Sequence, residues 1–254
     1  MGIVNVTPDS FSDGGKFLDP EVAIAHGLML ADEGASVLDI GGESTRPGAA
    51  PVDVETELAR VIPVIEGLAG RCRLSIDTRK AEVARAAVAA GATLINDVSA
   101  SLWPVAAELG VGWIAMHMQG EPGTMQADPH YDDVVAEVCA FLRERAMAAS
   151  GAGVKEIWVD PGFGFGKTDS HNLALLAHLE RIVEMGWPVV VGTSRKAMLG
   201  RLLATSDGSN ELVPADDRLA GSIATEVWAM HAGASMIRAH DVRSAIQAAK
   251  VVAA

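Results

Sequence analysis

Five stretches of this 254-residue chain combine residue types that can do chemistry. Asp160-Pro161-Gly162-Phe163-Gly164-Phe165-Gly166-Lys167-Thr168 puts a carboxylate beside a glycine-rich loop with two aromatic rings. It is not a P-loop, which needs a glycine where Pro161 stands, nor a dinucleotide fingerprint, which needs one at Lys167. The loop suits a flat nitrogen heterocycle: a ring laid against its face, and Asp160 accepting from its N–H groups. Three glycines and two exposure-prone phenylalanines would pack a core poorly. Ser194-Arg195-Lys196 leads into a helical pattern, and helix N-terminal N–H groups beside Lys196 make an anion site. Arg238-Ala239-His240-Asp241 carries two potential cations on alternate residues, so both can point to one side of a strand end. In Gly41–Gly48 the paired glycines allow close backbone approach, and Arg46 offers a planar fork to an anion. Asn5–Gly15, small and polar with an embedded Phe11, reads as a mobile loop that closes over a ligand. Arg46, Arg238 and His240 together could hold a diphosphate. Taken singly, a loop arginine is an ordinary solvated charge and a lone histidine an ordinary core residue.

Other chemistries are missing. His117, between Met116 and Met118, reads as readily as a barrel-filling residue as a functional one. His26, His171, His178 and His231 lie on helical segments, and no HExxH spacing builds a zinc site. There is no GxSxG nucleophile elbow. Cys72 and Cys139 have no CxxC spacing, which argues against a disulfide framework and for a reducing cytoplasm. Acidic residues outnumber basic ones, 33 to 20, for a net charge of −13, so nucleic acid is not an expected partner. The mean hydropathy of +0.24 comes from Ala and Val scattered among charges. No uncharged apolar run approaches the roughly 18 residues of a membrane span, so no membrane association is expected.

Strands are expected near Ile3–Val6, Ser36–Ile40, Leu74–Ile76, Thr93–Asn96, Trp113–His117, Ile157–Val159, Pro188–Val191 and Met236–Arg238. Between them run amphipathic helical patterns. Leu58, Val61, Ile62 and Ile65 share one face, as do Val242, Ala245, Ile246 and Ala249 behind an Asp241 N-cap. Asp19-Pro20 opens one helix and Gly34 closes it, while Gly91 and Gly233 close two others. Pro63 should kink the second helix. Eight strands, each followed by a helix, imply an α/β fold, a (β/α)8 TIM barrel of one domain over residues 1–254, with an open doubly wound sheet as the rival. Asn5, Asp39, Asp77, Asn96 with Asp97, His117, Asp160, Ser194 with Lys196, and Arg238 with His240 all fall at strand ends. Turn chemistry explains any one of them. Convergence on a ligand at the carboxyl end of a barrel explains the set.

These five loops, in this order, resemble the bacterial dihydropteroate synthase family, with Ile76-Asp77-Thr78, Ile95-Asn96-Asp97 and Met116-His117-Met118-Gln119-Gly120 in register. The resemblance runs essentially the whole length and implies a (β/α)8 barrel, usually a homodimer, in the cytoplasm. It implies a transferase of folate biosynthesis that joins 4-aminobenzoate to 6-hydroxymethyl-7,8-dihydropterin diphosphate with Mg2+. By motif, Asp77, Asn96, Asp160 and Lys196 would hold the pterin. Asn5 would bind magnesium and, with Arg46, Arg238 and His240, meet the diphosphate. Asp9, Phe11, Thr45, Pro47, Phe165 and Ser194 would surround aminobenzoate, where a sulfonamide would compete. The catalytic set would be Asp77, Asp160, Lys196, Arg238 and His240. Ala197 stands where many relatives have a serine, and relatives commonly carry a segment ahead of the first strand. A pterin-binding methyltransferase barrel needs no diphosphate site, so Arg46, Arg238 and His240 argue against it. Against a catalytically silent paralogue stand Asp77, Asp160, Lys196 and His240.

Overall fold

The computed structural model describes residues 1–7, 19–45 and 50–254. Strands β1 (Gly2–Asn5), β2 (Val37–Gly41), β3 (Arg73–Asp77), β4 (Leu94–Asp97), β5 (Gly112–Met116), β6 (Ile157–Asp160), β7 (Val190–Val191) and β8 (Met236–Ile237) fall within two residues of the expected segments. The helices are α1 (Pro20–Asp32), α2 (Val54–Leu68), α3 (Ala81–Ala89), α4 (Trp103–Leu109), α5 (Val134–Gly151), α6 (Asp169–Ala177), α7 (Glu180–Val183), α8 (Ala197–Ser206), α9 (Leu219–His231) and α10 (Val242–Val252).

β1 to β6 form one parallel sheet in sequence order, and β7 pairs with β8. Two narrow seams close the ring. Val159 N donates to Pro188 O at 3.0 Å beside a Val159–Val189 bridge. Ile3 N donates to Ala239 O at 3.1 Å and Ala239 N to Met1 O at 3.0 Å. The result is a (β/α)8 barrel, and the open doubly wound sheet is excluded.

Alternation along the strands builds the site. Leu38, Ile40, Leu74, Ile76, Ile95, Trp113, Ala115, Val159 and Val191 belong to the large apolar cluster that the barrel makes with its helices. Val37, Leu94, Ile114 and Val190 form a second, smaller cluster with Trp158 and Met236 against it. Two residues further along those same faces stand Asp39, Asn96, Met116, Gly192, Asp160 and Arg238. The pleat that fills the lower barrel with apolar side chains therefore delivers polar ones near its carboxyl end.

The helix ends follow local chemistry, with one exception. Asp19 accepts from Glu21 N at 2.9 Å with Pro20 at the first turn of α1, and Gly34 follows the helix at φ +109°. Asp241 precedes α10, but its carboxylate caps nothing. It is drawn into a bidentate pair with Arg195, at 2.5 and 2.8 Å, and a charged partner outcompetes backbone amides. α2 continues through Pro63. Among the described residues, no helix is long and apolar enough to cross a membrane.

Candidate active site

A cavity of about 730 Å3 opens at the carboxyl end of the barrel. Arg238 and its partners form a compact charged group there. Arg238 donates through Nε to Asp39 Oδ2 at 2.7 Å and through Nη2 to Asp77 Oδ2 at 2.8 Å. Asn96 Nδ2 donates to the same Asp39 oxygen at 2.8 Å. Asp39 is fully buried within β2 and does not line the cavity, whereas Asp77, Asn96 and Arg238 do. Two carboxylates thus share one guanidinium. Burial pushes Asp77 up to about 7, Arg238 pulls against that shift, and the neighbouring Asp39 adds to it. Burial disfavours the charge on Arg238, but Asp39 and Asp77 overcome this and hold its pKa above the usual arginine value.

Across the cavity, Asp160 ends β6 and accepts from Gly162 N at 2.7 Å. Burial raises its carboxyl, and Lys196 is the chief opposing influence. Lys196 immediately precedes α8, donates to Phe163 O, and sits 4.6 Å from the centroid of the Phe165 ring, in cation–π range. Burial lowers its ammonium to about 8, offset in part by Asp160. Phe163 and Phe165 both border the cavity, but Phe165 is half-buried there whereas Phe163 is fully buried and belongs to the core cluster. The expectation that both rings resist packing is therefore corrected for Phe163.

Ser194 and His240 join the ends of β7 and β8. His240 N donates to Ser194 Oγ at 3.1 Å, and His240 Nδ1 lies 3.1 Å from the same oxygen. The backbone between Ser194 and Lys196 is strained, since Arg195 adopts φ +56°. It is held there by Arg195 N donating to Ser222 Oγ at 2.9 Å and by Arg218 Nη1 donating to Arg195 O at 2.9 Å. Asn5 and Thr45 also line the cavity. Gly41 leaves space between two site oxygens: a Cβ there would lie 3.7 Å from Asp77 Oδ2 and 3.8 Å from Asn5 Oδ1.

Asn5, Thr45, Asp77, Asn96, Asp160, Phe165, Ser194, Lys196, Arg238 and His240 are therefore brought to one cavity. Asp9, Phe11, Arg46 and Pro47 lie outside the described residues. Two strand-end candidates serve structure instead. Asp97 accepts from Ser101 N at 2.7 Å, Leu102 N at 2.6 Å and Trp113 Nε1 at 3.1 Å. His117 packs edge-on against Phe141, and burial and then Lys167 hold its imidazole down to about 3. Sequence reasoning passed over Arg218 and Glu43 on the cavity wall. Arg218 gives no signal, because it sits among charges that read as surface. Glu43 belongs to the Gly41–Gly48 stretch, and its ion pairs with Arg79 and Lys80 exist only in the fold.

The sequence pattern of the pterin-binding enzymes matches residues 1–240. The dihydropteroate synthase of Escherichia coli K12 is 47% identical over 262 aligned residues, covering 100% of this chain and 90% of that protein. The Yersinia pestis dihydropteroate synthase, solved with a sulfonamide drug, superposes with a TM-score of 0.93 at 44% identity, covering 99% of this chain and 92% of that one. The Xanthomonas albilineans dihydropteroate synthase in complex with 7,8-dihydropteroate gives 0.84 at 50% identity, covering 98% and 90%. With this cavity at the mouth of this barrel, the chain belongs to the dihydropteroate synthase family of pterin-binding enzymes.

Proposed function

We propose that the chain condenses 6-hydroxymethyl-7,8-dihydropterin diphosphate with 4-aminobenzoate, forming 7,8-dihydropteroate and diphosphate in folate biosynthesis. The observation that carries this reading is the charge order of the cavity. Asp77 and Asn96 stand with Arg238 in one linked charged group, Asp160 faces Lys196 over the Phe165 ring, and His240 joins them on the same cavity wall.

Asp77, Asn96, Asp160 and Lys196 hold the pterin by its hydrogen-bonding edges. The C–O bond of the methylene breaks first, its electron pair leaving on the diphosphate, which Arg46, Arg238 and His240 stabilise as it departs. The positive charge left on the methylene spreads into the pterin ring, and the Asp160 and Asp77 carboxylates favour it. The arylamine nitrogen then forms the new C–N bond and gives up its proton, so the transfer is SN1-like with no covalent enzyme intermediate. Thr45, Phe165 and Ser194, with Asp9, Phe11 and Pro47, align the arylamine. A sulfonamide, an arylamine opposite an acidic group, competes for the same surface.

Magnesium fits this donor set. Among the described residues no cluster of three His, Cys, Asp or Glu side chains could cage a metal. Mg2+ keeps several waters and binds largely through substrate phosphates. Asn5, an amide oxygen on the cavity wall near Asp77, would hold it. When bound, it would neutralise charge on the leaving diphosphate.

We further assign the chain to the cytoplasm as a homodimer. Leu219 and Trp228 on α9 and Val251 on α10 support the dimer, because these apolar side chains are exposed on two helices that pack together. The test of function is incubation with pterin diphosphate, magnesium and 4-aminobenzoate, followed by chromatography for dihydropteroate. A folded protein that binds pterin but makes no dihydropteroate would overturn the enzyme reading.

A further inference from the structure

The loop from Pro161 to Thr168 has an unusual feature: side chains take every carbonyl from Gly162 to Gly166. Lys167 Nζ donates to Gly162 O and to Phe165 O, both at 3.0 Å. Lys196 Nζ takes Phe163 O, Gln126 Nε2 takes Gly164 O, and Tyr131 Oη takes Gly166 O at 2.8 Å. Lys167, 1% exposed, also reaches across to the end of β5, where its Nζ lies 2.9 Å from His117 Nδ1 and 3.3 Å from His117 O. The close seating is enforced by two glycines. A Cβ on Gly162 would fall 1.9 Å from His117 O, and one on Gly166 2.2 Å from Gln119 O. Both also have positive φ, 67° and 61°.

Lys167 therefore acts at both ends of the loop. Its ammonium fixes the Gly162 carbonyl, and through the Gly162 Cα it steadies the preceding peptide unit, whose N–H donates to Asp160 Oδ1 at 2.7 Å. It also fixes the Phe165 peptide, whose ring lines the cavity beneath the Lys196 ammonium. A buried ammonium is expensive unless its donors are matched by acceptors. Here burial lowers it to about 7, Lys196 adds to that shift and Asp160 opposes it. A lysine with only a packing role would be cheaper as an apolar residue.

We propose that Lys167 is a positioning residue of the reaction, orienting the Asp160 carboxylate through the Gly162 amide and the Phe165 ring through the Phe165 carbonyl. This rests on the pterin role of Asp160 and the arylamine role of Phe165 given above. Its signature is in pH dependence as well as affinity. The charged or titratable groups around Asp160 and Lys167 are Lys196 after β7, Arg238 after β8, His117 after β5, Tyr131 before α5 and His171 on α6. Loss of the Lys167 charge and a slackened Gly162 amide both leave Asp160 harder to ionise. The acid limb of kcat/KM for pterin diphosphate must then move to higher pH.

The test compares Lys167→Met and Lys167→Gln with Gln126→Ala and Tyr131→Phe in steady-state assays between pH 5 and 9. Both lysine variants should lose at least ten-fold in kcat/KM for each substrate and shift the acid limb upward by half a pH unit or more. Gln126→Ala and Tyr131→Phe release carbonyls that flank Phe165 and not Gly162. They should raise the aminobenzoate KM several-fold and leave the acid limb in place. A folded lysine variant with the unaltered enzyme's acid limb and KM values would overturn the proposal. If neither lysine variant folds, an unchanged aminobenzoate KM in Gln126→Ala and Tyr131→Phe would overturn it instead. An unmodified protein that makes no dihydropteroate would fail the parent reading, an outcome distinct from either.

Discussion

Asp160, buried, and Asp77, partly exposed to the cavity, are both acids at strand ends, yet different partners set them apart. Asp160 faces Lys196 and the Gly162 amide, an arrangement suited to an anion that stabilises a nearby cation. Asp160→Asn keeps the shape and removes the charge. Turnover should fall by two to three orders of magnitude, since losing one charge-stabilising contact costs about 3–4 kcal/mol of barrier. Thermal melting should move little, and a folded variant with near-normal turnover would remove Asp160 from the mechanism. Asp77 shares Arg238 with Asp39, and its carboxyl stays protonated well above the ordinary carboxylate range. A pterin that donates N–H groups to it favours the carboxylate, so binding releases a proton below about pH 7. Pterin affinity should therefore weaken as pH falls through 7 and level off above it. Calorimetry in buffers of different ionisation enthalpy checks this, and a constant affinity from pH 5 to 8 without proton release would contradict it. Residue identities were legible from sequence where a polar side chain ends a strand, as at Asp77 and Asp160. The sharing of one guanidinium was not, because Asp39, Asp77 and Arg238 are brought together only by closure of the ring.

Strand phase separates the site residues from their neighbours. Asn96 shares the face of Leu94 and enters the cavity, while Asp97 shares the face of Ile95 and caps the turn before α4. Met116 and His117 divide the same way. Period-two alternation, carried one residue further in the sequence, distinguishes the members of each pair. The eight strands were legible because β-branched runs alternate with 3.6-period patterns. The Asp241 cap was misread because its competitor, Arg195, is remote in sequence. At this scale the two proposed subsites meet: His240 follows β8 on the proposed diphosphate side, Ser194 follows β7 on the proposed aminobenzoate side, and the two side chains touch. Diphosphate with magnesium should thus organise Ser194, and calorimetry should find aminobenzoate binding weak in the free protein and at least several-fold tighter once both are added. Equal affinity under the two conditions would refute the coupling.

Across the whole molecule, charged contacts tie both ends of the barrel. The lower rim is tied by Arg73, which meets Glu156 in a two-pronged pair with both contacts at 2.7 Å, remote from the cavity. The upper wall depends on a different arrangement, a neutral His117 against a buried Lys167. Folding holds the imidazole at about 3, against an ordinary value near 6.5, because burial and the lysine both oppose its charge. The unfolded chain therefore binds the extra proton first as pH falls. Stability is unaffected by this group above about 6.5, and declines between 6.5 and 3 by up to about 1.4 kcal/mol per pH unit. His117→Gln keeps an acceptor for Lys167 and cannot titrate. It should lower stability modestly at pH 7.5 and flatten its fall between pH 6.5 and 4. Reversible urea unfolding is the measurement to use, since the chain's pI near 4.9 brings minimum solubility inside this window and heating would confuse aggregation with unfolding. Parallel pH profiles for the two proteins would show that the acid sensitivity of the barrel arises elsewhere, and Asp77 and Asp160 could not supply it. Asp77 and Asp160 are raised by folding, so each favours the folded state as the pH falls.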